Sequence, residues 1–313
     1  MKTLRLTLAY DGTRFAGWQT QRDRRTVQGE LEAAAQRVTH SEAKALASGR
    51  TDAGVHALGQ VVALRVETHL PANVLQRALN AELPEDIVVL ASSDAAADFH
   101  PIRDALGKRY RYLIHDGPVR EVFWRGRGWD YRHGRLDVGA MRRAAGLLIG
   151  RHDFAAFQTS GAERATTIRH VRELIVLRHP PTMSSQPIHG QLKPSGAGQG
   201  GAGEIGPCAT GAWPVPDDWI TSPSPGDWIT SPSPGDWITS PSPGDWITVE
   251  IEADGFLYNM VRAIVGTLVE VGRGAQPADW VAEVLASTDR RRAGPTAPPQ
   301  GLFLVQVDYP PTG

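Results

Sequence analysis

The chain has 313 residues, 41% of them hydrophobic, with 33 Lys and Arg against 34 Asp and Glu and a net charge of −1, which suits a soluble globular protein with its own core. Cys208 is the single cysteine, which excludes an intrachain disulfide and a cysteine-based zinc site. No run is long and apolar enough to span a bilayer, and residues 1–6 alternate rather than form a signal peptide's apolar block, so a cytoplasmic protein without a membrane partner is expected.

In chain order, residues 3–10 alternate, with Leu4, Leu6 and Leu8 on one face, and predict a strand. Asp11-Gly12-Thr13 predicts a turn. Thr26 stands as N-cap to a helix with Val27, Leu31, Ala34, Ala35 and Val38 on one stripe. A strand is expected near 58–67. Pro71 opens a second helix that turns Val74, Leu75, Ala78 and Leu79 inward, and residues 87–90 read as a short strand. Residues 108–115 read as another, with Tyr110, Tyr112 and Ile114 on one face and Arg109, Arg111 and Leu113 on the other.

The second half repeats that grammar. Asp137 caps a helix bearing Met141, Ala144, Ala145 and Leu148 that should end at Gly150. Strands are expected over 167–177 and 246–252, an apolar helix over 258–271, a further helix over 277–286, and a closing strand over 302–307. The expected fold is α+β: two similar α/β halves, residues 1–105 and 106–313, with mixed or antiparallel sheets joined side by side around a central cleft and helices on one side. An insertion interrupts the second half. The nine residues Asp-Trp-Ile-Thr-Ser-Pro-Ser-Pro-Gly start at 218 and recur at 227 and 236, and the first four begin again at 245. This period is too short for a common solenoid, and its Pro, Ser and Gly content favours an extended, disordered surface segment over about 180–244.

A near-neutral charge counts against a nucleic-acid binder, which usually carries a basic excess. Residues 180–244, however, hold Lys193 against Glu204, Asp217, Asp218, Asp227 and Asp236, so the remainder is net basic. Cations cluster at Arg22/Arg24/Arg25, at Lys108/Arg109/Arg111 and at Arg125/Arg127/Arg132/His133/Arg135, with arginine well ahead of lysine, as phosphate contact favours. Each cluster alone reads as a solvated face.

No HExxH, Cys-x-x-Cys, P-loop, GxGxxG or Gly-x-Ser-x-Gly pattern is present, so no metal, nucleotide cofactor or serine nucleophile is expected. Carboxylate, tyrosine and arginine chemistry remains. Its focus is Arg50-Thr51-Asp52-Ala53-Gly54-Val55-His56, a loop that brings a guanidinium, a carboxylate and an imidazole to one spot before the apolar run 61–64. Gly54 permits a left-handed turn. An Arg-x-Asp loop by itself reads as an ion pair at a turn.

The complete seven-residue run resembles the signature of the TruA family of tRNA pseudouridine synthases. Five further blocks resemble that family's motifs, in family order: Tyr10-Asp11-Gly12-Thr13 with Phe15-Ala16-Gly17-Trp18-Gln19; Thr26-Val27-Gln28-Gly29-Glu30-Leu31; Asp98-Phe99-His100-Pro101 through Lys108-Arg109-Tyr110-Arg111-Tyr112; Gly150-Arg151-His152-Asp153-Phe154; and Phe256-Leu257-Tyr258-Asn259-Met260-Val261-Arg262.

The resemblance implies isomerisation of uridines at positions 38, 39 and 40 of the tRNA anticodon arm, without a cofactor, by a homodimer in which one tRNA touches both subunits. It implies Asp52 as nucleophile, Tyr110 as the ring stacked on the target base, Arg262 as the partner of the aspartate and Arg50 as the side chain that helps extrude the base. Arg14, Gln19, Arg22, His56, His100, Arg103, Lys108 and Arg109 are further RNA-contact candidates. The chemistry suits these residue types. A carboxylate can attack carbon and leave again, and an aromatic ring under uracil replaces lost stacking at roughly 1–3 kcal/mol per base. Whether Asp52 attacks C1′, attacks C6 or removes a sugar proton stays open at this level. One rival is a non-catalytic tRNA-binding or RNA-chaperone protein on the same scaffold, against which the intact Asp52, Tyr110 and Arg262 set counts. Another is an aspartate-dependent glycosidase, which needs a second carboxylate; none stands out beside Asp52 in the sequence.

Overall fold

The computed structural model describes residues 1–159, 166–179 and 245–310; the expected insertion lies outside them. The first part of the chain folds as β1 (Lys2–Tyr10), α1 (Val27–Thr39), β2 (Ala43–Ala47), β3 (His56–Val66), α2 (Ala72–Glu82) and β4 (Ile87–Asp94). The rest follows as β5 (Gly107–His115), β6 (Trp129–Asp130), α3 (Val138–Gly146), β7 (Gly150–Asp153), β8 (Ile168–Arg178), β9 (Trp246–Ala253), α4 (Met260–Gly272), α5 (Trp280–Ser287) and β10 (Leu302–Asp308). The α+β class is as expected, and the ten strands make one mixed, mostly antiparallel sheet. Its main path is β4-β1-β3-β10-β5-β9-β8-β7, with β2 paired to β3 and β6 to β5. Among the described residues no helix is long and apolar enough to cross a membrane.

The closing strand β10 sits at the middle of that path. It runs parallel to β3 through Phe303 opposite His56 and Leu304 opposite Ala57, and antiparallel to β5 through Leu304 opposite Tyr110. Cross-strand neighbours share a face, so one row crosses six strands: Tyr10, Ala57, Leu304, Tyr110, Ile251 and Leu174. This face is apolar and shares one core with Leu31 of α1, Leu75 and Leu79 of α2, Met141 of α3 and Ile264 and Leu268 of α4. The opposite face carries His56, Phe303, Arg111, Glu250, Arg109, Glu252 and Glu173.

Caps and turns follow the local chemistry. The Thr26 hydroxyl accepts the Gly29 amide and the Asp137 carboxylate accepts the Ala140 amide, satisfying donors that a helix start leaves open. Several boundaries differ from the sequence reading, among them the end of β4 at Asp94 rather than at residue 90. Gly150 does not end α3, which stops at Gly146; it opens β7 with φ +112, and residues 151–153 pair with β8. The α4 helix starts at Met260 after Asn259 in a left-handed conformation (φ 60), and α5 starts at Trp280. Three strands, β2, β6 and the β7 just described, are additional. The β2 segment is alanine-rich, a composition that signals helix as readily as strand, and β6 is two residues paired in parallel with β5.

Candidate active site

Asp52 lies in the loop between β2 and β3, and that loop is held from several sides. Thr51 O accepts the Trp18 amide at 2.9 Å, and the Thr51 hydroxyl meets Tyr10 Oη at 2.9 Å. The Val55 amide closes a turn on Asp52 O at 3.1 Å, with Gly54 at φ +79, as its place in the motif requires. Gly12 approaches so closely that a Cβ there would lie 2.0 Å from Val55 O. Upstream, the fully buried Gln60 accepts the Ser48 hydroxyl at 2.7 Å and donates to Gly49 O at 2.7 Å. Lys108 Nζ donates to Ser48 O at 2.6 Å. Burial pushes the Tyr10 hydroxyl up to about 12, so it stays a neutral hydrogen-bonding group.

The Asp52 carboxylate points into a cleft of about 940 Å³ lined by residues 16–21, 48–55, 102–110 and 254–262 in part, together with Arg169, Pro299 and Leu302. Arg262, on the first turn of α4, donates from Nη1 to Asp52 Oδ2 at 3.2 Å and to Asn259 Oδ1 at 2.8 Å, and from Nε to Ala297 O at 2.7 Å. Burial raises the Asp52 carboxyl above its ordinary range, and Arg262 pulls in the opposite direction. Tyr110 lines the same cleft, its ring packed edge-on against Phe256 with centroids 4.9 Å apart. Its hydroxyl is raised, chiefly by burial and further by the nearby Tyr10 and Asp52.

The other candidate residues divide. Gln19, Arg50 and Lys108 line the cleft. Arg50 is exposed and has no hydrogen-bond or ion-pair partner among the described residues. His56, Arg14, Arg22, His100, Arg103 and Arg109 do not line it. His56 is 1% exposed and belongs to the opposite sheet face, stacked on Phe303 with centroids 4.6 Å apart. Its Nδ1 accepts the Gly12 amide at 3.0 Å and its Nε2 reaches Gly126 O at 2.9 Å, which assigns the neutral Nε2–H tautomer. Burial keeps this imidazole below its ordinary range, against the pull of Asp11. Arg109 also points to that opposite face, bonded to Glu173, Glu250 and Glu252. Arg14 pairs with Glu85 and Asp86, Arg22 with Asp23, and Arg103 with Asp104, while His100 Nδ1 accepts the Arg103 amide at 3.2 Å.

Among the cleft residues outside the sequence candidates, four add chemistry or wall. Phe256 and Leu302 add apolar walls, Arg169 adds a cation, and Asp254 adds a carboxylate whose Oδ1 accepts the His170 amide at 3.0 Å. Phe256 stood in a recognised block and could have been found there. Arg169, in a strand of mixed pattern, carried no signal.

A carboxylate paired with an arginine, an aromatic ring and a guanidinium with no partner among the described residues thus share one cleft. A family model described as tRNA pseudouridine synthase matches residues 7–102 and 144–310. The chain is similar to proteins named tRNA pseudouridine synthase A over 99% of its length. It is 36% identical to that of Myxococcus xanthus, covering 92% of the relative; 38% to that of Syntrophomonas wolfei, covering 98%; and 39% to that of Solidesulfovibrio magneticus, covering 92%. The chain belongs to the tRNA pseudouridine synthase family, whose members are isomerases.

Proposed function

We propose that this protein converts uridine to pseudouridine at positions 38, 39 and 40 of the tRNA anticodon arm, without a cofactor, as a cytoplasmic homodimer. Asp52 is the nucleophile in this reading. Tyr110 stacks on the extruded uracil, Arg262 holds Asp52 ionised and oriented, and Arg50 helps to displace the base. Gln19 and Lys108 contact RNA at the cleft. The observation that carries the reading is the Asp52–Arg262 contact of 3.2 Å in the cleft that Tyr110 also lines.

The reaction balances within the substrate and solvent. The N1–C1′ bond breaks, the uracil turns, a C5–C1′ bond forms, C5 loses its proton to solvent and N1 gains one. A carboxylate serves whichever carbon it attacks, because it is both a nucleophile and a leaving group. Extrusion costs a few kcal/mol, which a stacking ring and a guanidinium left in the vacated place offset.

The test is tritium release from C5-labelled uridine in tRNA by wild type and Asp52→Ala. Release by wild type and none by the variant is expected; equal rates would sink the mechanism. Tight tRNA binding without release by wild type would favour the non-catalytic reading. Substrates with uridine kept at one of the three positions at a time test the positional claim, and light scattering tests the dimer.

A further inference from the structure

The loop joining β5 to β6 carries an apolar and cationic tip outside the cleft. Val119, Val122 and Phe123 are 76%, 58% and 85% exposed. Phe123 has no ring partner among the described residues. Arg120, Arg125 and Arg127 flank it in the chain, and Glu121 is the one acid within residues 117–128. The Arg120 side chain is 77% exposed and reaches Asp130 only at 3.9 Å. Arg125 is exposed and has no hydrogen-bond or ion-pair partner among the described residues.

The base of this tip is fixed. Trp124 packs edge-on against Trp246 with centroids 6.1 Å apart, and Gly128 lies so close to the same indole that a Cβ would come within 2.6 Å. The Arg127 amide closes a turn on Trp124 O at 3.0 Å. Gly126 O accepts from His56 Nε2, and Arg127 holds Asp11 Oδ2 through Nε at 3.0 Å and Nη2 at 2.7 Å. The tip is therefore braced against the residues that pack on the Asp52 loop. A ring held on an anchored turn loses little freedom when it binds.

We propose that this tip is a second RNA-docking surface: the Phe123 ring stacks on an unpaired base of the tRNA, and Arg120 and Arg125 meet its phosphates. The proposal rests on the tRNA reading above. An aromatic ring among arginines is the chemistry that single-stranded nucleic acid selects. A tip-to-tip contact with a second copy fits less well, because it would set each tip's arginines against their own duplicates.

Phe123→Ala, Phe123→Trp, Arg125→Ala and the Phe123→Ala/Arg125→Ala double variant test it. The measurements are tRNA titration at two salt concentrations, tritium release at saturating tRNA, thermal melting and light scattering. Phe123→Ala should weaken tRNA binding roughly tenfold, Phe123→Trp should retain it, and Arg125→Ala should flatten the salt dependence by about one phosphate contact. Melting temperature and turnover at saturation should stay at the wild-type level. Unchanged tRNA affinity in the double variant would overturn the proposal. So would weaker binding that tracks dissociation of an oligomer, which would assign the tip to a protein interface. Tip-dependent binding without tritium release by wild type sinks the catalytic reading alone; normal release with tip-independent binding sinks this one alone.

Discussion

Arg262 and Asp52 stand 210 positions apart in the chain and meet at 3.2 Å, with the guanidinium also held by Asn259 and by Ala297 O. The cation is thus oriented by the protein itself before any substrate enters. Burial drives the Asp52 carboxyl up and Arg262 drives it down. Arg262→Gln removes the opposing effect, so the acid limb of kcat/KM should move to higher pH and activity near neutrality should fall. Arg262→Lys restores the charge without the planar fork and should move the limb partway back. A pH profile of tritium release checks both; an unmoved acid limb in Arg262→Gln would mean that Arg262 does not tune Asp52.

The raised Asp52 carboxyl also carries a stability cost. A folded-state pKa above the unfolded value means that the folded state binds the proton more tightly. Stability is then fullest below the ordinary carboxylate range, about 3.9, and declines as pH rises through the raised folded value. Asp52→Asn should therefore melt above wild type at neutral pH, with the difference shrinking in acid. Calorimetry at neutral and acidic pH checks the sign, and a variant that melts below wild type at neutrality would reverse it.

Gln60 acts on the site through the backbone. Its carboxamide occupies the Ser48 hydroxyl and Gly49 O, just ahead of Arg50 and Asp52. Gln60→Leu strands both groups in a buried place, at about 1–3 kcal/mol for each that stays unpaired. The expected result is a lower melting temperature together with a fall in kcat larger than any change in KM, because the reacting group and not the binding surface is displaced. Gln60→Glu keeps the acceptor and loses the donor, and should retain the Ser48 contact but not the Gly49 one.

Arg111 and Glu250 form a buried pair on the face away from the cleft, 2.7 Å from Nε to Oε1. Arg111→Met leaves Glu250 with the longer Arg109 contact of 3.3 Å, so the cost should sit near the low end of the 3–5 kcal/mol typical of a broken buried pair, about 3 kcal/mol. Turnover by the folded fraction should be unchanged, since Tyr110 and Lys108 face the other way. Urea unfolding with tritium release measured below the transition separates the two effects.

Much of this was legible in local pattern. Alternation along β5 already separated Tyr110 from Arg109, and the glycine after Asp52 announced a left-handed turn. The sidedness of His56 was not legible. It follows from the pairing of β3 with β10, since Ala57, one residue on, is the position that faces the cleft row. Arg14 and Arg103 kept the residue types of RNA contacts, yet nearby acids engage them, and such pairs depend on loops whose paths a motif does not record. Phe256 and Leu302 were sequence-visible as motif and strand, but their place in one cleft depends on α4 and β10 returning to the first half.

That return has a consequence for how the protein is made. On the ribosome β1, β2, β3 and β4 emerge early and can pair with one another, with β2 covering Val62–Val66 of β3, but His56 and Ala57 meet their β10 partners only when residues 302–308 appear. Arg262 likewise emerges long after Asp52. The start of β3, next to the Asp52 loop, must wait unpaired on that side through most of translation, exposed to pairing with other nascent chains. The enzyme's newly synthesised copies should therefore gain activity in one late step rather than gradually, and slow decoding upstream of β10 should favour aggregation over partial function.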